Sequence, residues 1–125
     1  MQAIHQHLLI RATVSNAPKS SEVLNEWLTR LVGSIDMKVC IEPRSVYVSE
    51  PGNEGLTGQI GIETSHIAIH IWDYESPALV QMDVYSCRNF LEQTVRDAIG
   101  EWGLDSYESM MIDRSETFSV ILPES

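Results

Sequence analysis

The chain has 125 residues, enough for one hydrophobic core and too few for two, so residues 1–125 are expected to form a single domain. Hydrophobic residues make up 43% and charged ones 21%, the mix of a folded globular domain rather than a disordered one. Eight basic against eighteen acidic residues give a formal charge of −10, which argues against nucleic acid or an anionic membrane as partner.

The start, MQAIHQHLLIRATV, lacks a basic segment followed by an apolar core, and no run reaches transmembrane length, so a cytoplasmic location is expected. Within residues 4–15, Leu8, Ile10, Ala12 and Val14 share one face at period two, the pattern of a half-buried strand. After NAPKS, Ser21 reads as an N-cap with Glu22 in the first turn. Val23, Leu24, Trp27, Leu28, Leu31 and Val32 then recur at helical spacing up to Gly33. MKVCIEP and RSVYVSE read as two strand segments with Pro43 marking a bend or an edge, and PGNEG as a loop.

Two strands follow, over about 56–63 and 65–72, then a turn at DYESP and a strand ALVQMDVYSC ending at Cys87. Asn89 reads as the cap of a second helix whose stripe is Leu91, Val95, Ala98, Ile99 and Trp102, with Gly103 as its stop. A last strand or two fill 107–122. The order β-α-β-β-β-β-α-β, with one apolar stripe per helix, implies an α+β fold. The expectation is a two-layer α/β sandwich, a mostly antiparallel sheet with two helices packed on one face.

The run GIETSHIAIHIW carries the chemistry. Ser65, Ile67, Ile69 and Ile71 fall on one face of a strand, and His66, Ala68, His70 and Trp72 on the other, so an imidazole and an indole two residues apart share the face away from the core. Cys40 and Cys87 imply no disulfide framework. The only lysines are Lys19 in a loop and Lys38 at a strand start, which poorly suits a pyridoxal phosphate enzyme, and no glycine-rich nucleotide fingerprint is present. His5 and His7 share a strand face, but no Cys or His at ligand spacing completes a metal site, so no metal is expected.

GLTGQIGIETSHIAIHIW, followed by MDVYSC, resembles the prokaryotic S-adenosylmethionine decarboxylases, and HQHLLIR is similar to that family's opening strand. The resemblance implies an enzyme that makes its own cofactor: a serine attacks the carbonyl before it, the ester undergoes β-elimination, and the new N-terminus becomes a pyruvoyl group. Ser65 matches that serine, so cleavage falls between Thr64 and Ser65. By the same resemblance, His70 matches the processing base and Thr57 a hydroxyl that assists it. Cys87 matches the thiol that returns a proton to the substrate, although the turn before it is two residues longer.

Trp72 is available to stack on a purine, and His66 joins the candidate substrate contacts. The substrate implied is S-adenosylmethionine, used for spermidine synthesis, in a homodimer. Two stretches depart from the family's pattern. Thr64 stands where a glutamate is usual, with Glu63 one place earlier. Ile71-Trp72-Asp73-Tyr74 replaces Thr-Trp-Pro-Glu, leaving Glu75 or Asp73 to contact the ribose. These departures motivate two alternatives, a pyruvoyl decarboxylase of arginine or ornithine and an uncleaved homologue acting as a binding or regulatory subunit.

Overall fold

The period-two pattern of the first strand is realised as burial, with Leu8, Ala12 and Val14 fully enclosed and Ile10 nearly so. The computed structural model of the protein describes residues 4–63 and 65–121. Along the chain come β1 (Gln6–Val14), α1 (Ser21–Ser34), β2 (Val39–Val48), β3 (Gly55–Ile62), β4 (Ser65–Trp72) and β5 (Ala78–Ser86). They are followed by α2 (Glu92–Gly100), β6 (Leu104–Asp113) and β7 (Ser119–Ile121). The strands make one antiparallel sheet in the order β2-β3-β4-β5-β1-β6-β7, so the first strand is inserted between β5 and β6. The α+β sandwich expected from the sequence is thus the observed one.

One face of the sheet forms the core with both helices. Leu24, Trp27, Leu28, Leu31 and Val32 of α1 and Val95 and Ile99 of α2 lie against Ile67, Ile69 and Ile71 of β4 and their neighbours. Gly58 lets α1 come close, since a β-carbon there would sit 3.0 Å from Leu24 Cδ2. Trp27 packs against Trp102 with 4.3 Å between ring centroids and 34° between the ring planes, and its Nε1 donates to the Ala98 carbonyl at 3.2 Å.

The helix boundaries depart from the sequence expectation at several residues. Ser20, not Ser21, is the N-cap of α1, its hydroxyl accepting from the Val23 amide at 3.2 Å. Ser21 is already helical and donates to the Ser45 carbonyl. Val23 faces solvent, and the helix passes through Gly33 to Ser34 before Asp36 turns the chain at φ 59°. In α2 the cap position is Leu91 rather than Asn89, and Leu91 is 72% exposed, outside the apolar stripe. The start of α2 is fixed by tertiary contacts instead: Glu92 accepts hydrogen bonds from Tyr107 at 2.9 Å and Ser109 at 2.6 Å on β6. Trp102 lies past the helix end yet is buried on Trp27.

Residues 39–48 form one strand rather than two segments. Pro43 is tolerated because β2 is the sheet edge, with irregular register between Val39 and Arg44. β6 starts three residues earlier than the expected 107, and a short β7 follows it.

Candidate active site

By strand register, the sheet face opposite the helices carries Thr57, His66, His70, Trp72, Asp83, Tyr85 and His7. The matched residues fall into two groups on the two ends of β4. At one end Thr57 lies directly opposite His70, its Oγ1 3.3 Å from His70 Nδ1. The His70 ring stacks on Trp72 at 5.8 Å between centroids with 29° between planes. Asp73 accepts from the Tyr47 hydroxyl at 2.9 Å, which holds the Tyr47 phenol above its ordinary value. Glu75 is exposed in the bend that follows.

At the other end, Ser65 opens β4 opposite Ser86, the residue before Cys87. Its backbone φ is 156°, in the half of conformational space that a β-carbon disfavours, a strain of order 1–3 kcal/mol. Ser65 and His66 line a groove of about 200 Å³ with Ile41, Arg44, Gln59 and Gly61. Gly61 provides room there, because a β-carbon would collide with the Ile41 side chain. The residue before Ser65, Thr64, lies outside the described residues. Glu63 sits in a turn with its amide donating to the Lys38 carbonyl, not on the strand.

The two ends do not meet within one chain. Ser65 and His70 are five residues apart along the same strand, about 16 Å at the usual rise. Cys87 follows the residue opposite Ser65, whereas His70 lies opposite Gln81, so the thiol belongs to the serine's end of β4 and not to that of His70.

Beside Ser65 stands a cluster that sequence reasoning did not assemble. Asp83 Oδ2 lies 2.8 Å from His66 Nε2 and 2.8 Å from His7 Nε2. Arg114 Nη1 lies 3.1 Å from His7 Nδ1, with its guanidinium 4.1 Å from the centre of the Tyr85 ring. His5 Nδ1 meets the Tyr85 hydroxyl at 2.9 Å. His5 and His7 were visible as a pair, but their partners sit on strands whose pairing with β1 no local pattern encodes. The donor atoms of His7, His66 and Asp83 lie within 4.8 Å of one another.

A family model described as S-adenosylmethionine decarboxylase matches residues 6–115. The chain belongs to the S-adenosylmethionine decarboxylase family. Its fold is also that of the adenosylmethionine decarboxylase from Aquifex aeolicus VF5. The two superimpose with a TM-score of 0.70 at 21% identity, over 100% of this chain and 98% of that one. No curated protein sequence matches. Among the described residues, no helix is long and apolar enough to cross a membrane.

Proposed function

We propose that the chain is a cytoplasmic, self-processing decarboxylase of S-adenosylmethionine. It is cut between Thr64 and Ser65, so that Ser65 becomes a pyruvoyl group, and it acts as a homodimer in spermidine synthesis. The observation that carries this reading is the division of the matched residues into two half-sites at opposite ends of β4. A two-fold axis through the centre of the open sheet face exchanges the two ends. The Thr57–His70–Trp72 end of one copy then meets the Ser65–His66–Cys87 end of the other. Leu9, Ile41, Val46 and Met110 lie on this face by register and are exposed, the apolar surface such a contact would bury.

The Ser65 end suits a serine-derived carbonyl. Its backbone is strained about the N–Cα bond of Ser65, the residue lines an accessible groove, and a thiol follows on the neighbouring strand. When formed, the pyruvoyl carbonyl supplies an electron sink for the pair left as carbon dioxide departs. The chain's own residues do the rest. Cys87 holds the proton returned to the substrate. His70, steadied by Thr57, removes the proton needed for elimination during cleavage. Trp72 offers a ring face to the purine, Glu75 stands free in the adjoining bend, and the eighteen acidic residues favour a cationic substrate.

The engagement of Asp73 by Tyr47 favours a second reading, because it ties one oxygen of one of the two candidate ribose contacts to a protein partner. An enzyme without such a contact would act on a cationic amino acid such as arginine or ornithine. Carbon dioxide release from the three substrates by wild type and by Ser65→Ala decides. Release from S-adenosylmethionine by wild type alone is expected, and an active Ser65→Ala protein would overturn the reading.

A further inference from the structure

His66, Asp83, His7 and Arg114 form a hydrogen-bonded chain whose protons can be placed from its Arg114 end. An arginine side chain has no acceptor and stays protonated, so Arg114 Nη1 donates to His7 Nδ1. That nitrogen is therefore bare, and the ring proton of His7 sits on Nε2, from which it is donated to Asp83 Oδ2. The same ionised oxygen, an acceptor only, also meets His66 Nε2, so His66 carries its proton there too. Its Nδ1 is left without a partner among the described residues, and the ring lines the groove that Ser65 lines.

Arg114 is itself held on two sides. Its guanidinium lies over the rings of Tyr85 and Phe118, at 4.1 and 5.5 Å, and its amide donates to the His5 carbonyl at 2.8 Å. The same arrangement opposes a divalent cation at His7, His66 and Asp83. A histidine that binds metal through Nε2 directs its Nδ1 proton at an acceptor, whereas His7 Nδ1 faces a guanidinium.

We propose that Arg114, His7 and Asp83 are positioning residues that fix the ring protons of this chain, so that His66 Nδ1 carries the proton in the first step of cleavage at Ser65. The inference rests on the self-cleavage reading. The Ser65 Oγ proton passes to His66 Nδ1 as the bond from Oγ to the preceding carbonyl carbon forms. As the bond from that carbon to the Ser65 nitrogen breaks, the nitrogen takes the proton back from His66. An amide becomes an ester, His66 is regenerated, and no oxidant or other reactant is consumed. His70, at the far end of β4, keeps the separate task of the later elimination.

The test has two readouts. Long-range proton–nitrogen spectra of the imidazoles, recorded on the full chain with Ser65→Ala so that it stays intact, should show His7 and His66 both protonated at Nε2. Arg114→Met should let His7 populate the other tautomer, and Arg114→Lys, which keeps a donor, should restore it. With Ser65 present, Asp83→Asn and Arg114→Met should slow cleavage on the order of 100-fold and Arg114→Lys should recover most of the rate. His66 protonated at Nδ1, or Asp83→Asn cleaving at the wild-type rate, would overturn the proposal. A wild-type chain that never cleaves while its ring protons sit as assigned would overturn the processing reading alone and uphold the proton order. His66 protonated at Nδ1 in a chain that does cleave would overturn this inference alone.

Discussion

Thr57 Oγ1 lies 3.3 Å from His70 Nδ1 across β3 and β4, while Ser65 opens the same β4 strand five residues away. A strand is stiff, so no side-chain rotation within one chain closes a gap of about 16 Å. If His70 acts on Ser65, it acts on that of a second copy.

Mixing two inactive chains tests that arrangement. Ser65→Ala and His70→Ala should each remain uncleaved alone. Co-expressed in equal amounts, they should give cleavage of roughly half of the His70→Ala chains, the share expected from random pairing in two-fold dimers. Mass spectrometry distinguishes the two chains, and an intact His70→Ala population at every mixing ratio would contradict the shared site.

Cys87 should separate cleavage from turnover. Cys87→Ser should still be cut at Ser65 but lose kcat on the order of 100-fold, the size of a missing proton donor. Equal kcat in the variant would remove the thiol from the reaction.

The paired tryptophans should dominate the stability of the helical layer. Trp27 is 2% exposed, packed against Trp102 and hydrogen-bonded to the Ala98 carbonyl, so Trp27→Ala should cost about 3–5 kcal/mol in denaturant unfolding. A loss under about 1 kcal/mol would mean that the layer repacks around the cavity.

Tyr107 should make the fold sensitive to alkali. Burial, followed by the hydrogen bond to Glu92, raises its phenol well above the ordinary 10.0. A raised folded value means the folded state holds the proton longer than the unfolded chain. The contribution is therefore complete below pH 10 and is lost as the pH rises above it. Thermal unfolding of Tyr107→Phe should show a shallower alkaline decline than wild type, and identical slopes would contradict the assignment.

The elements were legible where hydrophobic period alone sets them: the Leu8–Val14 face, the α1 stripe from Leu24 to Val32, without Val23, and the Ile67–Ile71 face all lie where the sequence put them. Boundaries set by tertiary contacts were not. The start of α2 depends on Glu92 meeting Tyr107 and Ser109, and no residue near Asn89 signals that. The site was half legible for the same reason. Thr57, Ser65 and His70 lie on adjacent strands of one hairpin, so their spacing carries information. His7, Asp83 and Arg114 come together only because β1 is inserted between β5 and β6, a pairing across most of the chain.

The intact mass of freshly purified protein under denaturing conditions, with and without a carbonyl-reactive amine, tests the central claim most directly. Two fragments meeting between Thr64 and Ser65, the second carrying a carbonyl that reacts with the amine, are the expected result. A single species near 14.1 kDa that persists on long incubation would contradict self-processing and leave an uncleaved member of the family.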